Sequence, residues 1–288
     1  MLTAVFLLLL YFLILSFVIK KSISKKSIYP LIYIILFLPT YSIFQILIYD
    51  LSNNIFLVNL IKYSKDLSII FIFFIYVFGG ETPFLKIKWK LSELDFLFIF
   101  FSVMIFLFMI FPIGEANFLE RTIYGKNLLL ISIVYFLGRN VNYSFLELKF
   151  IDKALVLLTS ISCIIAIIEF SFNTHLHTII NYSSYYLDLY DINSTGNYGL
   201  SWTFERPGPI KRFGSFFADP LEFASFLLLG LSAVLFKIYN SKLSINRLNH
   251  FVFFLLIIIG IYLSYSRSVI ISVFLMLLIS LFLIKKYR

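Results

Sequence analysis

The residues best suited to chemistry in this chain are cations. Arg206, Lys211 and Arg212 crowd into Phe204-Glu205-Arg206-Pro207-Gly208-Pro209-Ile210-Lys211-Arg212-Phe213-Gly214-Ser215-Phe216-Phe217-Ala218-Asp219-Pro220, just before an apolar run. Pro207, Gly208, Pro209 and Gly214 impose a bent backbone there. A guanidinium at such a bend can hold a phosphate through paired hydrogen bonds, whereas a lysine acts more as a point charge. The same cations suit anionic lipid headgroups, and this segment alone leaves both readings open. A second feature is Leu263-Ser264-Tyr265-Ser266-Arg267-Ser268-Val269, in which one charge separates two apolar runs. So tight a connection places Arg267 at the mouth of a helical hairpin. A charge at membrane depth is expensive unless it meets a partner or a wet cavity, which favours a buried or cavity-facing Arg267 over one that snorkels to headgroups.

Three carboxylates could meet these cations: Glu169 near the outer end of the sixth apolar run, and Asp219 and Glu222 flanking the start of the seventh. Glu169, Asp219 and Glu222 are candidates for a counter-ion to Arg212 or Arg267, or for a general base that takes a hydroxyl proton. Asp219 precedes Pro220, a pattern that predicts a helix N-cap for Asp219. Glu222, one turn inside the next apolar run, is harder to explain as a surface residue. His175 and His177 share a face only in an extended segment and lack an evident third ligand, so they read as interfacial rather than metal-binding. Cys163 sits in an apolar run and reads as a small buried hydrophobe. No P-loop, GxGxxG, HExxH or nucleophile-elbow pattern occurs, so ATP hydrolysis, nicotinamide chemistry and proteolysis have no support.

The elements that must position these residues are membrane helices. Of 288 residues, 61% are apolar and 14% charged, with a mean hydropathy of +0.96. A soluble domain carries about 25% charged residues. Apolar runs long enough to cross the hydrocarbon recur throughout without period-2 alternation, which excludes a β-barrel reading. The expectation is an all-α, polytopic transmembrane bundle, one domain over 1–288, with about nine spans near 2–19, 28–49, 67–80, 96–112, 124–137, 154–172, 221–238, 251–266 and 268–284. The third and fifth are the shortest. The start, Met1-Leu2-Thr3-Ala4, has neither a basic n-region nor a small-residue cleavage site, and this argues against a removable signal peptide.

The net charge of +9 does not point to nucleic acid, because the 24 cations sort by connection. Sixteen fall in one alternating set: Lys20, Lys21, Lys25 and Lys26; Lys86, Lys88 and Lys90; Arg139, Lys149 and Lys153; Lys237, Lys242 and Arg247; and Lys285, Lys286 and Arg288. The other set holds eight: Lys62, Lys65, Arg121, Lys126, Arg206, Lys211, Arg212 and Arg267. Positive charge marks cytoplasmic loops, which predicts an outside N-terminus and a cytoplasmic C-terminus. The main extracytoplasmic loop is then 173–219. Its Tyr182, Tyr185, Tyr186, Tyr190, Tyr198 and Trp202 argue against disorder. They suit either an interfacial aromatic belt or a set of faces that stack on sugar rings.

Together the two cationic segments resemble the O-antigen polymerase/O-antigen ligase superfamily of membrane glycosyltransferases. Members have an outside Arg-x-Gly-Thr/Ser-Phe…Pro segment, here Arg212-Phe213-Gly214-Ser215-Phe216…Pro220, and farther on a Ser-Arg-Ser/Gly motif, here Ser266-Arg267-Ser268. The motif-bearing part is roughly 204–284; the earlier spans match in character only. The resemblance implies a GT-C-like, metal- and nucleotide-independent enzyme of a bacterial cytoplasmic (inner) membrane, with no cofactor. Its donor would be a polyprenyl-diphosphate-linked glycan and its acceptor a lipid-linked glycan or lipid A core. Arg212 and Arg267 would grip the diphosphate and stabilise its departing charge, with Glu222 as a third catalytic candidate. Arg206, Lys211, Gly214, Ser266 and Ser268 would bind substrate. Implied partners are membrane lipids, a chain-length regulator and a flippase. Family members continue into a further outside loop, which in ligases carries a histidine. This chain ends earlier, which suggests a fragment, a truncated product or a short member, and a polymerase rather than a ligase. The competing classes are a lipid-linked oligosaccharide flippase, although no paired repeat supports it, and a non-catalytic scaffold.

Overall fold

The computed structural model describes residues 2–24, 28–78, 92–111, 114–139, 144–194, 196–206, 210–240 and 244–287. Lys25, Lys26, Lys86, Lys88, Lys90, Lys242, Arg288 and the Pro207-Gly208-Pro209 bend lie outside the described residues, as do the last positions of the third and fourth spans, 79–80 and 112. Among the described residues, eleven α-helices and one short hairpin form. The long helices are α1 (Leu2–Ile23), α2 (Ile28–Ser52), α3 (Ile55–Phe78), α4 (Glu93–Ile110), α5 (Phe118–Arg139), α6 (Phe145–Phe172), α9 (Pro220–Asn240), α10 (Ser244–Ser264) and α11 (Arg267–Tyr287). Between α6 and α9 lie α7 (Leu176–Ile179), α8 (Tyr182–Tyr190) and the antiparallel strands β1 (Glu205–Arg206) and β2 (Ile210–Lys211).

Among the described residues, five helices are long and apolar enough to cross a membrane: α1, α2, α4, α6 and α9. On α4, Leu94, Phe96, Phe100, Met104 and Phe108 are all exposed, and only Asp95 and Ile105 are buried. Such a surface is at home in lipid, where helices satisfy their own backbone groups. The chain is a helical, multi-pass membrane protein.

A long helix carries each of the nine apolar runs, but α3, α5, α6 and α10 each start at least six residues before their run. Helix α3 begins at Ile55 and α5 at Phe118, so Lys62, Lys65, Arg121 and Lys126 stand on helices and not in connections. Local caps explain the early starts of α3 and α5. Asn54 Oδ1 accepts from Phe56 N at 2.9 Å, and Asn117 and Glu120 exchange side-chain-to-backbone bonds in a capping box. The Lys65 and Lys126 ammoniums then share one partner, the buried Asp66.

The chain divides into two compact units, Met1–Leu9, Ile32–Ile61 and Phe145–Arg288 in one, and Leu10–Leu31 and Lys62–Ser144 in the other. In the second, α4 packs on α5, and the Arg139 fork donates to both oxygens of buried Asp95 at 2.7 and 2.8 Å. The Tyr135 hydroxyl adds a third bond to that carboxylate, and Ser92 closes a capping box with it. In the first unit, α6, α9 and α10 pack together. Phe223, Leu227, Leu231 and Val234 form one fully buried stripe of α9 at helical spacing. Lipid offers no hydrophobic force between helices, so close contact must hold them. Gly230 supplies it against Thr159, and Gly260 against Cys163: an added Cβ would fall 2.3 Å from Thr159 Cγ2 or 2.5 Å from Cys163 Sγ.

Candidate anion-binding site

The stretch from α6 to α9 is folded on its own small core. Asn173, Asn181 and Asp191 take left-handed backbone conformations that reverse the chain around α7 and α8. Helix α8 is fastened to the end of α2: Tyr49 donates to Asp188 Oδ2 and Asn181 Nδ2 to Asp50 Oδ1, both at 2.6 Å. The centre is Phe204, fully buried, with the rings of His177, His175 and Tyr182 at 4.7, 5.5 and 5.9 Å. The tyrosines thus divide. Tyr182 and Tyr185 are buried in this core, whereas Trp202 is 62% exposed. Neither a uniform belt nor a uniform sugar platform describes them.

The two histidines are buried in this core. His175 is extended, at φ −103°, ψ 140°, and precedes α7, which carries His177; both rings turn inward to the aromatics. His177 Nε2 lies 2.7 Å from the Phe217 carbonyl, so that nitrogen carries the proton. Burial pushes both imidazoles down to about 4, aided at His175 by the charges of Lys211 and His177.

Two buried carboxylates staple the segment. Glu169, at the end of α6, accepts from Leu176 N at 2.8 Å and Ser215 N at 2.9 Å. Glu205 accepts from the backbone and side-chain amides of Asn197. Asp219 Oδ1 accepts from Leu221 N and Glu222 N, both at 2.8 Å, and is the N-cap of α9 that its place before Pro220 predicts.

On this frame the hairpin aims its cations. Glu205 pairs with Lys211 and Arg206 with Ile210, and Arg212 N extends the ladder to Phe204 O at 2.9 Å. Strand alternation sends Glu205 and Lys211 to one face and Arg206 and Arg212 to the other. Lys211 turns away from the arginines: its ammonium donates to Asn173 O at 2.6 Å and lies 4.7 Å from the Tyr198 ring centroid. One residue past the hairpin, Phe213 N donates to Leu263 O at 3.2 Å. That bond ties the segment to the turn between α10 and α11. In the turn, Tyr265 adopts φ +49°, Ser266 N meets Ser264 Oγ at 3.3 Å, and Arg267 opens α11.

Three guanidiniums converge here. Arg206 lies 5.5 Å over the Tyr265 ring. Arg212 is held below its ordinary basicity first by burial and then by the charges of Arg206 and Arg267. Its Nε is buried and has no hydrogen-bond partner among the described residues. Among the described residues, no carboxylate forms a salt bridge with any of the three. Arg267, at the first position of α11, is exposed and reaches out of the turn, which removes the buried alternative but not the cavity-facing one. A cation there also opposes the positive end of the helix dipole. Like charges so arranged are stabilised by an anion with several oxygens, and guanidiniums suit phosphate best.

Other sequence candidates fall differently. Ser266 is buried beside the arginines, with its Oγ 3.2 Å from that of exposed Ser268. Gly214 is a packing residue: an added Cβ would lie 3.3 Å from both Phe204 Cε1 and Pro220 N. Glu222 is exposed, and its charge acts on the Tyr182 and Tyr186 hydroxyls; it is not among the charges that act on Arg212. Sequence reasoning missed Tyr265 and Glu205, although each is next but one or next to a candidate arginine. Comparison with protein-family models, with curated proteins and with solved structures returned no match.

Proposed function

We propose that the chain is a surface-polysaccharide polymerase of the O-antigen or capsule kind. It would transfer a glycan from a polyprenyl diphosphate to a lipid-linked glycan at the outer face of a bacterial inner membrane. In this reading all nine long helices cross, in a GT-C-like arrangement with the N-terminus outside and the C-terminus in the cytoplasm. The observation that carries it is the convergence of Arg206 and Arg212 with Arg267, from segments far apart in sequence. Of these, Arg212 and Arg267 are the arginines that the resemblance to the O-antigen polymerase/ligase superfamily assigns to the diphosphate, and Arg206 is one that it assigns to substrate binding.

The chemistry follows from their charge. An acceptor hydroxyl attacks the anomeric carbon as the bond from that carbon to the diphosphate oxygen breaks, with inversion. The leaving diphosphate gains negative charge, which the fixed guanidiniums stabilise; one such donor is worth roughly a hundredfold in rate. The hydroxyl proton needs a base. Glu169 spends both oxygens on backbone amides and Asp219 caps α9 with one of its own, and the role is assigned to exposed Glu222. In cells that display the polymer, Arg212→Ala and Arg267→Ala should each abolish it, and Lys at either position should restore little. Wild-type polymer length and amount in both alanine variants would overturn the assignment.

A further inference from the structure

Beside the arginines lies an aromatic pair with no part in the scheme above. Tyr262, in the last turn of α10, is 61% exposed, and its ring centroid is 5.3 Å from that of Tyr265. Tyr265 in turn lies 5.5 Å from the Arg206 guanidinium. A continuous row therefore runs from an exposed aromatic face to the cation cluster. The bond from Tyr265 N to Tyr262 O, 3.0 Å, closes the end of α10 and sets the two rings relative to each other.

The turn itself does not call for a ring. At φ +49° a glycine or asparagine would be less strained than tyrosine. An isolated tyrosine at the end of a membrane helix is explained as a headgroup anchor. That explanation does not extend to a tyrosine stacked on a guanidinium of an anion site. Aromatic faces and guanidiniums recognise neighbouring parts of one kind of molecule: the CH-lined face of a pyranose lies against a ring, and phosphate oxygens meet the cations. In a lipid diphosphate glycan the first sugar is bonded directly to a phosphate oxygen, so it must rest immediately beside the group that holds the phosphates.

We propose that Tyr262 and Tyr265 form the subsite for the sugar ring bonded directly to the diphosphate of a lipid-linked glycan. The proposal rests on the diphosphate reading of the arginines and adds to it the residues that sense the donor's first sugar.

Two probes separate the subsite from the anion site on the full-length protein in lipid nanodiscs: farnesyl diphosphate, and the same lipid with one glucose on its terminal phosphate. Wild-type protein should bind the glucosylated probe more tightly. Tyr262→Ala should weaken that probe about five- to tenfold and leave farnesyl diphosphate unchanged. Tyr265→Phe should retain both affinities, and Tyr265→Leu, as strained as the native residue, should weaken the glucosylated probe more than the bare one. Equal effects on the two probes, or none, in Tyr262→Ala would overturn the subsite. Arg212→Ala and Arg267→Ala should weaken both probes. Should they not, or should wild-type protein bind neither probe, the diphosphate reading falls and the subsite with it. Weakened arginine variants with unselective tyrosine variants would remove the subsite alone.

Discussion

Glu169 and Glu205 show how far residue type is from residue role. Both are buried acids, Glu205 next to Arg206 in sequence and Glu169 far from any cation. Both are consumed by amides: two backbone amides at Glu169, the backbone and side-chain amides of Asn197 at Glu205. An unpaired buried amide costs about 1–3 kcal/mol, so these bonds stabilise the segment that carries the arginines. The histidines make a prediction at the same scale. Their folded values of about 4 lie below the ordinary 6.5, so the unfolded segment binds more protons between those limits. Stability from the neutral rings is present above about pH 6.5 and is lost as pH falls towards about 4. Hydrogen exchange within 173–219, corrected for intrinsic rate, should rise across that window. His175→Phe, which sacrifices no hydrogen bond, should blunt the rise, and protection that does not change with pH would contradict the scheme.

At the scale of elements, apolar runs and caps were the legible part. The nine runs each carry a helix, and Asp219-Pro220 caps one as expected. The starts of α3 and α5 were hidden because hydropathy counts a lysine as an end, while a helix continues wherever its backbone bonds and ion pairs allow. Strands of two residues are too short to show a period of two, so the aim of Arg206 and Arg212 could not be read from spacing. The bond between Phe213 and Leu263 is tertiary and leaves no local trace. Close packing of α6, α9 and α10 should depend on Gly260, where an added Cβ meets Cys163 Sγ at 2.5 Å and Leu227 Cδ1 at 3.0 Å. Gly260→Leu should part the helices and make buried Cys163 reactive to N-ethylmaleimide in detergent. A thiol that stays as protected as in the wild type would show that the helices tolerate the insertion.

For the whole molecule, the count of spans and the side of the site are separable questions. Alkaline phosphatase fused after Asn54, Ala116 or Tyr190 should be active, and after Ser24 or Asn240 inactive. If neither α3 nor α5 crosses, Ala116 alone changes side and the arginines stay outside. If only one fails, Tyr190 and Asn240 exchange sides, which would remove the arginines from an extracytoplasmic donor. The link from Phe213 to Leu263 also has a meaning in time. Membrane chains are made from the N-terminus, and segments fold as they emerge. The core around Phe204 and its hairpin can form as soon as α9 is in place, but Arg212 then waits for α10 and the first turn of α11 to bring Arg267. On the proposed reading, competence therefore arrives as a single late event in the life of the nascent chain, and until then the growing protein is an inert passenger of its membrane.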